Sequence, residues 1–598
     1  MEQFKDYRNI HHMLRETVDR RGPHPAYAWF DDSGETDSVT WDQFHAEVLQ
    51  AAKSFLALGV RKNDKVSIVS YSCYRWVLID LALAGIGAVT VGIYHSLPAE
   101  ECRYIIDHSD AIMVFAEDNV QLEKLLSVRN DLPNIEKIIL FRGDAPADDD
   151  GILDFSSFMA IGKDMPGTTV LSMADNVTPD DIAAIVYTSG TTGVPKGAML
   201  THDNITFTAQ SVEKSVYWKE DDRVCLFLPL AHVFARTCVY TALLSGCTMT
   251  FTRSLDTLAE DLKAARPTWF PSVPRIYEKV YTKIVGTAET KGGMTWRIFK
   301  WAQKTALQMS YLKRHKLPEP ILFKLQYSLA DRLVFQKIRA ALGGRVRWCI
   351  SGAAPLNPDI GKFFHGAGVL IVEGIGMTEN TSFTNLNRYT DYRFGWVGPP
   401  GPGIEQKAAP DGEIMFRGRN VMKGYYKMPE ETAETITEDG WLLTGDLGDI
   451  DEDNFLRITG RKKEIIVTAG GKNIAPARIE GIMLTSKYIN QISVIGDRRP
   501  YLTALVAINN DTIEEYAQRN HIPHSGTDDL MAHPEIIRLM ESEIKRRNRQ
   551  LASFETIKKI ALVPEFTVDN GMLTPTMKVR KGRAADHYQD RIDAMYES

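Results

Sequence analysis

Residues 182–197 read IAAIVYTSGTTGVPKG, an apolar run followed at once by a loop of small and hydroxyl-bearing residues. The run Ile182–Val186 is typical of a buried strand, and the loop adds backbone amides, hydroxyls and one cation, Lys196. Such a loop lets a polyanion approach the backbone closely. It is not a Walker-type P-loop, because Lys196 precedes Gly197 rather than Ser or Thr. We therefore expect a phosphate-binding loop at the end of a strand, with an unliganded, solvated loop as the alternative.

Short apolar runs alternate with helical patterns on both sides of this stretch. Alternation of this kind favours parallel α/β layers, and runs rich in Val and Ile suit strands that are covered on both faces. The candidate strands are Lys65–Ser70, Ala88–Ile93, Ala111–Phe115, Lys137–Phe141, Ile182–Thr188, Val224–Leu228, Thr248–Phe251, Arg347–Ser351 and Val369–Glu373. The candidate helices between them include Asp42–Leu58, Trp76–Ala84 and Leu255–Ala265.

The pattern changes after about Gly395. The sequence VGPPGPG at 397–403 has turn chemistry, and the short apolar runs that follow it, separated by Gly and Asp, indicate a small antiparallel subdomain. The final part of the chain has apolar runs and helical patterns of its own. We therefore divide the chain near Gly460 into residues 1–459 and 460–598.

The composition is that of a globular protein, since 44% of the 598 residues are apolar and 25% are charged. The net charge of −7 disfavours a dedicated nucleic-acid binder. Six cysteines without a Cys-x-x-Cys pair indicate free thiols in a reducing cytosol. The N-terminal residues lack the apolar core of a secretory signal, and Leu81–Ala99 fits a buried helix and strand better than a membrane span. We expect a cytoplasmic protein with no nucleic-acid partner.

Six more stretches follow the loop in a characteristic order: PLAHVFAR (229–236), SGAAPL (351–356), EGIGMTE (373–379), GWLLTGDLG (440–448), GRKKEIIVTAGGKNIAP (460–476) and PTMKVRKG (575–582). Together with YTSGTTGVPKGA they resemble the signatures of the adenylate-forming (AMP-binding) enzymes, which include acyl-CoA synthetases, luciferases and the adenylation domains of peptide synthetases. The resemblance implies that family's α/β fold. It consists of a large N-terminal domain of layered α/β sheets with a small β-barrel-like subdomain, plus a small mobile α+β C-terminal domain.

The resemblance implies that ATP, Mg²⁺ and coenzyme A take part in the reaction. A carboxylate is a poor electrophile, and joining it to AMP supplies a leaving group, so the enzyme must align ATP, metal and carboxylate as pyrophosphate departs. The residues that the resemblance assigns to the β- and γ-phosphates are Thr188, Ser189, Gly190, Thr191, Thr192, Gly193 and Lys196. Glu379 resembles the family's magnesium ligand, with the Thr188 hydroxyl beside it, and Thr378 would contact the α-phosphate.

Two strand-end loops resemble the family's nucleotide-binding rim, and ligands favour such rims of parallel sheets. Their assigned residues are Gly352, Ala353, Ala354, Glu373, Gly374, Ile375, Gly376 and Met377. Ile375 departs from many relatives, in which an aromatic residue stacks on adenine, although an aliphatic side chain can still pack on the ring. Asp446 resembles the ribose-binding aspartate, with an ordinary turn aspartate as the alternative. Arg461 matches the arginine that binds ribose or phosphate.

The remaining assignments concern the reacting carboxylate and the C-terminal domain. Lys578 matches the catalytic lysine, whose ammonium can stabilise charge on the carboxylate and the α-phosphate. His232 matches the histidine beside the acyl carboxylate, although a lone histidine at such a place is usually structural. Lys463 matches the hinge about which the C-terminal domain turns. The loop that this turn would bring to the pantetheine arm of coenzyme A contains Gly470, Gly471 and Lys472.

A helical insertion at about 281–345 bears on which carboxylic acid is the substrate. It resembles the insertion of the long-chain fatty acyl-CoA synthetases, so a long-chain fatty acid is the leading substrate. Residues 291–318 contain seven lysines and arginines, interleaved aromatic residues and no acidic residue. A helix of this kind can lie on an anionic membrane surface, which would place the protein peripherally on the inner face of a membrane. The alternative, to which we give equal weight, is an amphipathic helix packed on the large domain.

Three rival functions share parts of this pattern. A fatty acyl-AMP ligase would deliver its product to a carrier protein, but such relatives typically carry an insertion near the hinge, and residues 460–476 run without one. A non-catalytic scaffold would not need the intact set Lys196, Glu379, Asp446, Arg461 and Lys578. A luciferase-type oxygenase shares the motifs and would emit light with a luciferin. The sequence favours an acyl-CoA synthetase over all three.

Overall fold

The stretch 182–188 forms one strand of a mostly parallel sheet. The computed structural model describes residues 4–31, 33–188, 194–574 and 577–597, along which strands β1–β25 and helices α1–α22 are numbered. The sheet contains β3 (Lys65–Val69), β4 (Val89–Ile93), β5 (Ala111–Ala116), β6 (Lys137–Leu140), β7 (Ile152–Asp154), β8 (Ile182–Thr188), β9 (Lys196–Thr201) and β18 (Gly424–Tyr425). Their order is β18-β9-β8-β4-β3-β5-β6-β7. Strands β8 to β7 pair in parallel, and β9 folds back antiparallel on β8.

A second large sheet provides the other half of the site. It contains β1 (Pro25–Phe30), β2 (Thr36–Thr40), β10 (Arg223–Leu226), β11 (Thr248–Phe251), β12 (Trp269–Ser272), β13 (Trp348–Ser351), β14 (Leu370–Ile375) and β15 (Asn385–Leu386). The order is β15-β14-β13-β12-β10-β11-β1-β2, with antiparallel strands at both edges and parallel pairing between them. Apolar residues of both sheets and of the helices around them belong to one continuous core.

The helices of this part of the chain mostly follow strands. They are α1 (Ile10–Arg21), α2 (Trp41–Ala57), α3 (Tyr74–Ile86), α4 (Ala99–His108), α5 (Asn119–Leu126), α6 (Phe155–Ile161), α7 (Gly167–Ala174), α8 (His202–Ser215), α9 (Val233–Ser245), α10 (Leu258–Ala265), α11 (Pro274–Lys291), α12 (Gly293–Arg314), α13 (Ile321–Ala330), α14 (Gln336–Ala341), α15 (Pro358–Gly366) and α16 (Pro429–Thr435). The uncharged run Leu81–Ala99 forms the buried end of α3 and strand β4. Across the described ranges, none of the helices combines the length and apolar character needed to cross a bilayer.

The predicted parallel α/β layers are confirmed, and each candidate strand lies within two residues of an observed one. Strand β12 was not predicted, because it contains Pro271, which cannot donate to a ladder. The structure accommodates this proline in the middle of the sheet. Pairing between β12 and β10 is restricted to Trp269 and Val224, so no partner on the β10 side needs a donor from Pro271.

The antiparallel subdomain is also confirmed. Strands β16 (Glu405–Ala408), β17 (Glu413–Arg417), β19 (Leu442–Ile450) and β20 (Leu456–Arg461) form an antiparallel sheet in the order β16-β17-β19-β20. The chain then enters a hairpin of β21 (Ile466–Val467) and β22 (Asn473–Ile474) and a sheet of β23 (Ile489–Ile495), β24 (Leu502–Ile508) and β25 (Ile557–Val563). The helices here are α17 (Pro476–Met483), α18 (Asn510–Arg519), α19 (Thr527–Ala532), α20 (Pro534–Asn548), α21 (Lys581–His587) and α22 (Gln589–Ala594). This region has two apolar clusters of its own and is the predicted α+β C-terminal domain.

The insertion forms α11 to α14, and its longest helix packs on the large domain. The apolar side of α12, including Phe299, Ala302 and Ala306, is buried. Helices α12 and α15 approach so closely that a Cβ on Gly366 would lie 1.9 Å from the carbonyl oxygen of Ala306. On its apolar side, α12 is therefore the amphipathic helix packed on the large domain that the sequence offered as the alternative.

Candidate active site

The two sides of the predicted phosphate loop are held together by the β8–β9 hairpin. Thr188 and Lys196 are register partners at its loop end, and the Thr188 hydroxyl lies 3.5 Å from the Lys196 carbonyl oxygen, to which it donates. The tip of the loop, where Ser189, Gly190, Thr191, Thr192 and Gly193 were predicted to bind phosphates, lies outside the described residues. The hairpin thus places the Lys196 cation at the carboxyl end of β8.

A buried tyrosine links this lysine to the predicted magnesium ligand. Tyr425 of β18 pairs with Ala198 of β9, and its ring centroid lies 5.2 Å from the Lys196 ammonium. Its hydroxyl donates to Oε1 of the buried Glu379 at 2.7 Å. Burial, and after it the charge of Glu379, raises the pKa of Tyr425, so the tyrosine remains a donor. Sequence reasoning missed Tyr425, because β18 has two residues and shows no detectable periodicity.

The SGAAPL loop leaves β13 in a strained conformation. Ala353 has a φ of +70°, in the left-handed region that side chains with a Cβ rarely adopt. A Cβ on Gly352 would lie 3.2 Å from the ring of Phe234, at the start of α9. The backbone of this loop is therefore pressed against α9, and Ala354 follows at the same strand end.

Glu373 makes contacts to backbone amides that its motif does not predict. Its side chain is buried, and its two oxygens accept from the backbone amides of Leu356 at 3.2 Å and Gly395 at 3.0 Å. Burial raises the pKa of Glu373 to about 7, and these two bonds oppose the shift. The carboxylate therefore joins the SGAAPL loop to the segment around Gly395.

The rest of the EGIGMTE stretch forms the end of β14 and a turn. Gly374 and Ile375 pair with Leu386 and Asn385 of the edge strand β15. Gly376 must be glycine, because a Cβ there would lie 2.0 Å from the carbonyl oxygen of Ser382. The remaining members of the stretch enter a 3₁₀ turn, in which Thr378 and Glu379 are buried and the amide of Met377 donates to Asn380.

Asp446 and Arg461 form an ion pair on neighbouring strands. They are register partners of β19 and β20, and Arg461 Nε donates to Asp446 Oδ1 at 2.7 Å. Burial raises the pKa of Asp446, while the charges of Arg461 and Lys578 oppose this shift. The charge of Glu379 also acts on Arg461, so residues from four separate motifs share one electrostatic environment.

His232 is held as a neutral donor at the start of α9. Its Nδ1 accepts the backbone amide of Phe234 at 3.1 Å, which leaves the proton of the neutral ring on Nε2. Burial, and after it the charge of Lys578, lowers the pKa of His232 to about 4. The imidazole can therefore offer an N–H to an anionic substrate group at neutral pH.

Lys578 brings the C-terminal domain to this site. Solvent reaches part of its side chain, yet the surrounding protein desolvates the ammonium and lowers its pKa, as does the charge of Arg461. Asp446 acts on it in the opposite direction. Lys578 thus lies within electrostatic range of His232 on one side and of the Asp446–Arg461 pair on the other.

The predicted hinge residue and the loop predicted to meet coenzyme A lie in the C-terminal part of the chain, apart from the residues described above. Lys463 is in a 3₁₀ turn directly after β20. The loop with Gly470 and Gly471 connects β21 to β22 and is exposed. It is closed by the Thr468 hydroxyl, which accepts from the backbone amide of Lys472 at 3.2 Å.

Several polar contacts between described residues hold the C-terminal domain in this orientation, and sequence reasoning missed them because they join distant segments. Arg275 of α11 donates to the carbonyl and side-chain oxygens of Asn490. Arg519 donates to the Thr290 hydroxyl of α11 at 3.1 Å. The ion pairs Lys487–Glu289 at 2.8 Å and Arg580–Glu101 at 3.5 Å join the same two domains.

Comparisons with known proteins agree with this architecture. A family model described as AMP-binding enzyme matches residues 14–426, and one described as AMP-binding enzyme C-terminal domain matches residues 463–598. Similar curated proteins include the long-chain-fatty-acid–CoA ligase FadD15 of Mycobacterium tuberculosis, 37% identical over 94% of this chain and 93% of that protein. The long-chain-fatty-acid–CoA ligase ACSBG2 of Xenopus laevis is 30% identical over 98% of this chain and 84% of that protein.

Solved structures share the fold at lower identity. The adenylation domain of a carboxylate reductase from Mycobacterium chelonae has a TM-score of 0.79 and 22% identity, covering 99% of this chain and 92% of that one. The anthranilate CoA ligase AuaEII, solved with anthranoyl-AMP, has a TM-score of 0.74 and 21% identity, with 99% of both chains covered. Together, the two family models span nearly the whole sequence, as do the curated relatives, and the chain belongs to the AMP-binding enzyme family.

Proposed function

We propose that this protein is an ATP-dependent long-chain fatty acid–CoA ligase. It activates the fatty acid to an acyl-adenylate with release of pyrophosphate, and then transfers the acyl group to coenzyme A with release of AMP. The observation that carries the proposal is the position of Lys578, which comes from the C-terminal domain and lies within electrostatic range of both His232 and the Asp446–Arg461 pair. The two curated relatives described above are both named long-chain-fatty-acid–CoA ligases, and these names support the substrate class.

The residues divide the adenylation step between them. Asp446, a buried carboxylate with one oxygen bound to Arg461, can accept ribose hydroxyls with the other. The Lys578 ammonium stabilises charge on the carboxylate and the α-phosphate as they join. The Nε2 proton of His232 orients the acid, and Lys196 attracts the departing phosphates.

The donor set around Glu379 fits Mg²⁺. Tyr425 donates to Oε1, and among the described residues no protein donor meets Oε2, so this oxygen can face a cation. One carboxylate oxygen, a hydroxyl such as that of Thr188, and phosphate oxygens are ligands of the kind that Mg²⁺ prefers. When bound, the metal would supply charge neutralisation to the phosphates of ATP.

The thioester step requires a second arrangement of the same chain. We place the domain boundary near Gly460 and the hinge at Lys463, directly after β20. Rotation there would withdraw Lys578 and present the exposed loop of Gly470, Gly471 and Lys472 to the thiol of coenzyme A. The uninterrupted segment 460–476 supports coenzyme A over a carrier protein as the acceptor.

We also propose that the basic insertion makes a peripheral contact with a membrane. The apolar side of α12 packs on the large domain, so the lysines and arginines on its solvent side would provide the contact. They would attract anionic headgroups without deep insertion of this helix.

Pyrophosphate release with a panel of fatty acids, with and without coenzyme A, tests the proposed function. A long-chain fatty acid–CoA ligase converts ATP to AMP and forms acyl-CoA with long-chain acids. Accumulation of acyl-AMP that coenzyme A does not discharge would identify a fatty acyl-AMP ligase instead. If no fatty acid supports AMP formation in the presence of Mg²⁺, the proposal is wrong.

A further inference from the structure

Helix α13 turns an apolar face to solvent. Ile321, Leu322, Leu325 and Leu329 are 80%, 81%, 66% and 53% exposed, and their spacing places them on one side of the helix. We call these four residues the α13 face. The opposite side is already packed, because Phe323 and Ala330 are buried.

The α13 face is not needed to attach the helix to the rest of the protein. Tyr327 anchors the helix by donating to the carbonyl oxygen of Gly366 at 2.9 Å, and Gln326 does so by donating to the Thr305 hydroxyl at 3.0 Å. A contiguous exposed patch of large aliphatic side chains on a folded protein usually marks an interaction surface. The helix is thus attached by one side and presents the other to a partner.

The surroundings of the α13 face are strongly basic. Residues 291–345 contain twelve lysines and arginines but two acidic residues, whereas the whole chain has a net charge of −7. Lys316, Lys324, Arg332 and Lys337 are exposed next to or within the helical segment that carries the face. Asp331, one of the two acids, is paired with Arg339 at 2.7 Å, which leaves the cations dominant.

We propose that the α13 face is a docking surface for an anionic lipid bilayer. Leucine and isoleucine side chains would enter the boundary between headgroups and acyl chains, while the flanking lysines and arginines meet lipid phosphates. The occupant is therefore a lipid surface, and the element that enters it is α13 rather than α12.

A second copy of the chain fits the same surface poorly. A two-fold contact through the α13 face would place the two basic surroundings against each other, and like charges facing across an interface are unfavourable. An anionic bilayer satisfies both the apolar face and the cations. If the proposed ligase function holds, docking would also bring the enzyme to fatty acids that partition into membranes.

Vesicle flotation of the full-length protein tests the surface directly, without reference to catalysis. The probes are vesicles of phosphatidylcholine alone and of phosphatidylcholine with phosphatidylglycerol. We expect the protein to float with the anionic vesicles, and the bound fraction to fall as salt screens the charges. The double variant Leu322→Asp/Leu325→Asp should weaken this binding on the order of 100-fold, because two exposed leucines lose their transfer into lipid.

Two variants define what the face contributes. Val120→Asp changes a residue that is 66% exposed on α5, outside the face, and should bind vesicles like the parent. Lys324→Glu/Arg332→Glu keeps the leucines and should lose the preference for anionic vesicles. Thermal unfolding and turnover of a short, water-soluble acid in vesicle-free buffer should stay unchanged in all variants, since each altered residue is exposed.

Three outcomes would overturn the proposal. The first is a parent protein that stays unbound in both vesicle preparations, and the second is a Leu322→Asp/Leu325→Asp variant that floats as well as the parent. The third is a dimer by light scattering that this variant converts to a monomer, which would make the α13 face a subunit interface.

Discussion

Arg461 donates through Nε to Oδ1 of Asp446 at 2.7 Å, across neighbouring strands of the small antiparallel sheet. The pair holds the Asp446 carboxylate in one orientation, and it carries an electrostatic link to Lys578. Because it lies where the large domain passes into the C-terminal domain, we expect it to couple the proposed nucleotide binding to the position of Lys578.

Asp446→Asn tests the ribose role. The amide keeps the shape but loses the charge that Arg461 and ATP hydroxyls recognise, so we expect kcat/KM for ATP to fall about 10- to 100-fold. Steady-state pyrophosphate release measures it. The matched control is Asp449→Asn, which removes the exposed pair with Arg457 on the same two strands and should leave ATP kinetics unchanged. Equal losses in the two variants would contradict a specific role of Asp446.

Lys578→Ala separates the two half-reactions. Without the ammonium, we expect acyl-adenylate formation to fall about 100- to 1,000-fold, whereas thioester formation from supplied acyl-AMP should be spared. Rapid-quench assays of each half-reaction provide the readout. Equal loss of both steps would rule out the two-orientation scheme.

Arg275→Ala tests the contacts that hold the C-terminal domain. Loss of the bonds to Asn490 should slow acyl-adenylate formation by about tenfold, because the orientation that presents Lys578 is less populated. The thioester step should not slow. Lys283→Ala changes an exposed lysine of the same helix and serves as the control in single-turnover measurements of both steps. A variant indistinguishable from this control would show that Arg275 does not position the domain.

Acid should destabilise the protein by protonating buried histidines of α1 and α8. Burial lowers the pKa of His11 to about 3 and that of His202 to about 4, and in the described structure neither ring nitrogen of His11 has a hydrogen-bond partner. The unfolded chain binds these protons near pH 6.5 and the folded chain does not. Stability is therefore full above about pH 6.5 and falls as the pH drops, by about 2 kcal/mol per histidine at pH 5.

His11→Leu should reduce this sensitivity to acid. The urea midpoint should fall less between pH 7.5 and pH 5 in the variant than in the parent protein. His24→Leu replaces an exposed histidine three residues after α1 and should keep the parent's pH response. An unchanged response in His11→Leu would remove His11 from the explanation.

The two α/β sheets and the strand-end loops could be predicted because buried parallel strands leave continuous apolar runs, of which Ile182–Thr188 is an example. Contacts that depend on distant segments could not. Tyr425 reaches Glu379 from a two-residue strand, and Arg275 reaches Asn490 across 215 positions. Glu373 was assigned to nucleotide binding from its motif, yet its carboxylate joins backbone segments. The apolar stripe of α13 was overlooked beside the more conspicuous basic and aromatic pattern of α12.

The described polar contacts between the two domains are few, and each is weak. Lys487–Glu289 and Arg580–Glu101 keep solvent access on at least one partner, and ion pairs of this sort are worth about 1 kcal/mol or less each. Under the proposed rotation at Lys463, contacts of this strength would let the C-terminal domain leave this orientation and return to it on every turnover. A large hydrophobic interface would instead hold it in one orientation.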